Sequence, residues 1–255
     1  MNEILISVGR LSVFTLSFFL VIAYLWYCFV IYKKGLEFRY TPETLYDLCL
    51  LSGASGWLFA RLAFVIEHFS VFRLNFLRVV LLSDYPGYNY LGLVIGLVVA
   101  VFILARREEI KYYEGLDLLG LGLPGAMAFE RLGRVFSGEI HLVWQLPMEL
   151  LQALVLLLVF VWLWRLEKEY RTFSWYRFRR TQARHGFIFG SFLILSGFVM
   201  MLANSWPFFK ASSMAFGLFE LVLGMVIIYL RSGRSLAHDV KLLPVIGRWY
   251  TRTTK

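Results

Sequence analysis

The densest chemistry in this 255-residue sequence lies in one stretch, Glu130-Arg131-Leu132-Gly133-Arg134-Val135-Phe136-Ser137-Gly138-Glu139-Ile140-His141. Arg131 and Arg134, three residues apart, fall on one side of a turn and can present two planar forks to a phosphate or carboxylate. Gly133 and Gly138 let the backbone come close to a bound group. An anionic headgroup is the natural ligand. The same residues admit a plainer account, in which Glu130, Arg131, Arg134 and Glu139 pair with one another in a loop of mixed charge.

The elements that must position this stretch are apolar. Seven segments, 11–32, 45–66, 90–105, 115–129, 146–164, 186–204 and 213–230, each approach the roughly 20 residues that a helix needs to cross a hydrocarbon core. Arg61 lies inside the second, and the remaining 25 of the 26 Lys+Arg fall between segments, 19 on one side of the expected membrane and 6 on the other. The positive-inside rule therefore predicts an N-terminus outside and a C-terminus in the cytoplasm. The expected fold is all-α, a single integral membrane domain over 1–255. A net charge of +9 is compatible with nucleic-acid binding, but 59% hydrophobic residues and a mean hydropathy of +0.67 leave too little polar surface for a soluble chain. No nucleic-acid partner is expected. The first segment is too long for a signal-peptide core and is expected to stay as an anchor. Cys28 and Cys49 fall within spans and suggest neither a disulfide nor a metal site, and nothing in the sequence calls for a cofactor.

The segments differ in character. Asp47 and Arg61, Asp117, and Glu220 place charges in the second, fourth and seventh, where each costs about 3 kcal/mol unless it finds a partner or water. Such side chains must point into the bundle. Between residues 68 and 84, Phe69, Phe72, Phe76, Val79 and Val80 recur at helical spacing with Arg73 and Arg78 opposite, which predicts a helix lying in the outer interface. Gly115, Gly120, Gly122, Pro124 and Gly125 interrupt the fourth segment at a density that predicts a broken or re-entrant element lining a cavity.

The stretch 114–141 resembles the signature region of the prolipoprotein diacylglyceryl transferase family, with Asp117, Arg131, Gly133, Gly138 and Glu139 at matching positions. The segment Phe59-Ala60-Arg61-Leu62-Ala63-Phe64-Val65 resembles the family's G-A-R-L-G-Y-V. Pro147, followed by Glu149-Leu150-Leu151-Gln152, resembles its H-P-x-Q-L-Y-E, and residues 189–201 resemble a sixth-span segment. The departures are specific. Leu91-Gly92-Leu93 stands where the family has H-G-G, Arg134 and Ser137 replace its signature asparagines, Met200 replaces the arginine of the sixth span, and Leu151-Gln152 replaces Tyr-Glu.

The resemblance implies transfer of a diacylglyceryl group from phosphatidylglycerol to a lipobox cysteine thiol, with release of glycerol phosphate. That reaction needs positive charge on the leaving phosphate and a group to take the thiol proton. Arg61, Arg131 and Arg134 would hold the phosphate, supported by Asp117, Gly133, Gly138, Glu149 and Glu220. Glu139 or His141 would replace the missing histidine. The alternative is a protein that keeps the bundle and the lipid without the catalysis, as a transmembrane subunit or scaffold. A transporter using Asp47, Arg61 and Glu220 is the weakest reading, because the halves show no inverted repeat. The expected partners are an anionic phospholipid and either a lipoprotein precursor or other membrane subunits.

Overall fold

The computed structural model describes residues 4–8, 11–72, 87–138, 142–143, 146–177, 183–203 and 211–234. Seven long helices stand within these residues: α1 (Thr15–Glu37), α2 (Pro42–Glu67), α3 (Tyr90–Arg106), α4 (Tyr112–Ser137), α5 (Met148–Glu169), α6 (Phe187–Ala203) and α7 (Ala211–Ser232). They answer one for one to the seven apolar segments. Four stretches (Thr15–Glu37, Pro42–Glu67, Met148–Thr172 and Met214–Ser232) are long and apolar enough to cross a membrane, and α3 and α6 are shorter apolar helices. The chain is a polytopic helical membrane protein.

Local chemistry sets the helix starts. The Thr41 hydroxyl accepts from Thr44 N at the head of α2, with Pro42 at its first position. Asn89 Oδ1 accepts from Gly92 N at the head of α3. The first segment departs from expectation at its N-terminal end: Ile4–Val8 (β1) and Leu11–Phe14 (β2) pair as an antiparallel hairpin, and α1 begins only at Thr15. A second, two-residue pairing joins Leu142–Val143 (β3) to Leu146–Pro147 (β4). Of the expected interfacial helix, a single turn at Phe69–Phe72 is described, and the rest lies outside the described residues.

The fourth segment overturns the expectation of a broken element. α4 runs unbroken from Tyr112 to Ser137 with Pro124 inside it. Its glycines serve packing instead of interruption. A Cβ on Gly120 would stand 2.9 Å from Phe189 Cα of α6, one on Gly122 would stand 2.9 Å from the Tyr27 ring of α1, and one on Gly125 would collide with the Trp26 indole. Small residues thus let α1 and α6 approach the α4 backbone closely, and Leu116, Leu118, Leu119, Leu121 and Leu123 fill the space between. Helices packed this tightly hold a proline-containing turn that would be costly in an isolated helix.

α4 is therefore the central helix, lying against α1, α5 and α6; α2 packs along α3, and α6 along α7. We call the end of the bundle at the C-terminus of α4 the upper end and the opposite one the lower end. The lower end is tied by polar groups. Lys34, fully buried, bonds Glu37 at 2.7 Å and Glu167 of α5 at 3.1 Å and lies 4.3 Å from the Trp164 ring. Tyr40 donates to Glu114 at 2.6 Å, and Lys111 and His185 reach the same carboxylate at 3.1 and 3.3 Å. Burial, reinforced by the bond to Glu114, pushes the Tyr40 hydroxyl above its usual range, so it remains a donor.

The α6–α7 contact gives a direct test of backbone approach. A Cβ on Gly197 would run into the Gly217 carbonyl and stand 2.9 Å from Leu221 N. Gly197→Leu should cost about 1–3 kcal/mol by overpacking, read as a lowered unfolding midpoint in detergent micelles. An unchanged midpoint would mean that the two helices are not in backbone contact.

Candidate phosphate-binding site at the upper end

The charged side chains of the upper end are held in two groups joined by a short strap. In the first group, Arg61 is 3% exposed on α2, its guanidinium stacked 5.1 Å from the Phe72 ring and 5.7 Å from that of Phe64. Its Nη1 donates to Gly87 O at 3.1 Å. Gly87 has φ +149°, and any side chain there would strike the Phe64 ring, so the strap needs glycine at this point. Asn89 continues the anchoring: its N–H donates to Ala60 O at 3.0 Å and its Nδ2 to Glu67 at 2.8 Å. Residues 87–90 are thereby fastened along the last turns of α2.

The second group is carried by α4. The helix continues through the arginine pair, so Arg131 and Arg134 stand on its last two turns and not in a loop, and it ends at Gly138, whose φ of +92° makes a left-handed cap. Both arginines address one acid. Arg134 Nε bonds Glu130 Oε1, and Arg131 Nε lies 3.4 Å from Oε2 of the same carboxylate. Their side chains keep 41% and 25% of their surface exposed. Among the described residues both guanidinium groups address the Glu130 carboxylate at a partly open surface. Gly133 packs against Phe19 of α1, bringing the two helices together just below the arginines.

Tyr90, the first residue of α3, links the groups. Its hydroxyl is buried beside Ser196 of α6, and both Arg131 and Glu220 act on it electrostatically. Glu220 of α7, 3% exposed, accepts from Ser196 Oγ of α6 at 3.2 Å. Glu149 is buried in the first turn of α5, where a carboxylate is favoured by the helix dipole. Glu139 and His141 lie outside the described residues. Sequence reasoning missed Tyr90, since a tyrosine at the head of a span reads as an interfacial belt residue, and it missed Ser196 as the partner of Glu220; the pairing of Glu130 with Arg131 and Arg134 is the one its plainer account gave.

Asp117 belongs elsewhere. Its carboxylate is buried at the lower end and accepts from Gly186 N at 2.7 Å and Phe189 N at 3.0 Å, with His185 Nδ1 at 3.7 Å. It caps α6 from a neighbouring helix, satisfying donors that the head of a helix leaves open.

The sequence pattern of the family described as prolipoprotein diacylglyceryl transferase matches residues 3–230. The chain belongs to that family. With its apolar helices, this makes it a multi-pass protein of the bacterial inner membrane. Among curated family members, the phosphatidylglycerol–prolipoprotein diacylglyceryl transferase of Wolbachia sp. subsp. Drosophila simulans (strain wRi) is 25% identical over 141 residues, 55% of this chain and 53% of that protein. The protein of the same name from Wolbachia sp. subsp. Brugia malayi (strain TRS) is 26% identical over 141 residues, with the same coverage of 55% and 53%. The one from Wolinella succinogenes is 35% identical over 54 residues, 21% of this chain and 20% of that protein. The chain spans about half the length of the Wolbachia relatives it matches.

The family's signature region thus includes, in this chain, a residue with a purely structural set of contacts. Asp117→Ala removes two charge-assisted bonds to α6 and should destabilise the protein by about 3 kcal/mol, with faster amide exchange at Gly186 and Phe189. Retention of anionic lipid at the upper end should not change; a loss of lipid without a loss of stability would contradict the capping role.

Proposed function

We propose that this family member binds an anionic phospholipid of the phosphatidylglycerol type at the upper end, and that diacylglyceryl transfer to a lipobox cysteine is the reaction this binding serves. The observation that supports the reading is the arginine pair on the last turns of α4, two neighbouring guanidinium groups whose side chains keep 25% and 41% of their surface exposed. A phosphate arriving there would accept from planar forks suited to bidentate contact. Arg61 adds positive charge from α2, and the Tyr90 hydroxyl, buried beside Arg131, would donate to the same anion.

In the transfer, the thiolate attacks the glyceryl carbon, the carbon–oxygen bond to phosphate breaks, and glycerol phosphate departs with the bonding electrons. Developing charge on that phosphate is what the arginines would stabilise. The thiol proton must go to a base other than the family histidine, whose position is Leu91 here. Glu139 and His141 are the sequence candidates, and Glu220, beside Tyr90, is a third. A second reading, a lipid-binding subunit without catalysis, is favoured by one specific feature. A Cβ on Gly92 would meet the Phe59 carbonyl, so the segment replacing H-G-G is pressed against α2.

The upper end would face outward, because the basic segments of the sequence fall at the lower end: Lys33, Lys34, Arg39, Arg106, Arg107, Lys111 and the 165–184 stretch. Ser137→Cys, at the C-terminus of α4, should react with a membrane-impermeant maleimide in intact spheroplasts. Labelling that requires lysis would reverse the orientation.

A transfer assay with labelled phosphatidylglycerol and a lipobox peptide decides between the readings. Modification of the peptide is expected, falling about 10²–10³-fold in Arg131→Ala and about tenfold in Tyr90→Phe, the value of one hydrogen bond to a charged group. A wild-type protein that retains phosphatidylglycerol yet leaves the peptide unmodified would support the non-catalytic subunit. Equal lipid retention by wild type and Arg131→Ala would refute the site itself.

A further inference from the structure

An apolar furrow lies at the lower end, on the outer surface of the bundle and remote from the arginine pair. α1 and α5 both lie against α4 and leave a furrow of about 340 Å³ between them. Its walls are apolar. Trp26, Phe29 and Val30 line it from α1 at one-turn spacing, and Phe160, Val161 and Trp164 line it from α5. The rings brace one another across the gap, with Trp26 and Phe160 in edge contact at 5.4 Å and Phe160 against Trp164 at 5.6 Å. Trp26 also rests on Phe129 at 5.6 Å, so α4 supplies the floor.

The furrow ends at two cations. Lys33 continues the α1 wall by one further step and Arg165 follows Trp164 on α5. The Lys33 ammonium is aimed along the wall, 5.5 Å from the Trp164 ring and 5.8 Å from that of Phe29. Among the described residues neither Lys33 nor Arg165 has an acidic partner. The adjacent Lys34 differs, being buried and neutralised by Glu37 and Glu167. Two cations without an acidic partner among the described residues therefore sit together at one end of an apolar slot, near the lower ends of α1 and α5.

We propose that this furrow is a binding site for an anionic phospholipid of the lower-end leaflet, its acyl chain lying between α1 and α5 and its phosphate held by Lys33 and Arg165. The charge complementarity selects the occupant: a zwitterionic lipid would bring its own cation against these two, and a second copy of this chain would bring a surface of like charge. The site needs no catalysis and is independent of the upper-end assignment, since the two share no residue.

Native mass spectrometry of the full chain in detergent, titrated with phosphatidylglycerol or with phosphatidylcholine of the same acyl chains, tests it. Lys33→Gln/Arg165→Gln should weaken one phosphatidylglycerol binding event roughly 10–30-fold, as expected for two surface cations, and leave phosphatidylcholine unaffected. Lys33→Arg/Arg165→Lys should restore it, and Arg131→Gln should leave that event in place. In vesicles, brominated phosphatidylglycerol should quench Trp164 more than brominated phosphatidylcholine does, a difference lost in Trp164→Phe. Wild-type affinity in the double Gln variant would overturn the proposal. So would an equal loss of both lipids, or a dimer that dissociates when the two cations are removed.

Discussion

The structure depends on how closely neighbouring backbones can approach α4. A helix in the middle of a membrane bundle gains little from the hydrophobic effect, because lipid is as apolar as leucine, and must be held by contact distance and by satisfied polar groups. The glycines of α4 provide the first of these. With Gly120 against Phe189, Gly122 against Tyr27 and Gly125 against Trp26, α1 and α6 approach to backbone distance, and Pro124 is carried within a continuous helix. The same contacts fix the rotation of α4, and with it the direction of every charged side chain on it.

That rotation separates the charges by end. Glu114 and Asp117 are set among the loops and helix heads of the lower end, where Tyr40, Lys111, His185 and the first amides of α6 complete them. Arg131 and Arg134, four and five turns further along, are set at the upper end beside Glu130. The lower-end acids are met by enough donors to make a closed network, whereas the upper-end arginines keep part of their side-chain surface exposed. A structural network and the proposed ligand site thus lie at opposite ends of one helix.

The upper end is assembled from four helices that contribute little individually. Arg61 comes from α2, Tyr90 from α3, the arginine pair from α4 and Glu220 from α7, with Ser196 of α6 behind it. The strap at 87–90 is what brings the α2 and α3 contributions beside α4. It does so through backbone bonds to Arg61 and Ala60 and a glycine whose conformation other residues resist. Where the family histidine is missing, the chain presses Gly92 onto α2, so the start of α3 offers Tyr90 as its polar group.

The sequence by itself determined the number and order of the spans, the inward direction of Arg61, Asp117 and Glu220, and the family; Asp47, expected inward with them, is exposed near the start of α2. These follow from properties of single segments: apolar length, the cost of a charge in hydrocarbon, and a local signature. It misread Gly115–Gly125 as a break, because glycine and proline weaken a helix in isolation and only neighbours at backbone distance show that they are packing surfaces. It grouped Asp117 with the arginines because they are near in sequence. The 14 and 17 residues of continuous helix between Asp117 and the two arginines place them at opposite ends, at a rise of about 1.5 Å per residue. Which hydroxyl lies beside the arginines and which carboxylate caps α6 were decided by the tertiary structure, since each is a contact between helices whose relative rotation no local pattern records; the acid the arginines share lies within one turn on their own helix.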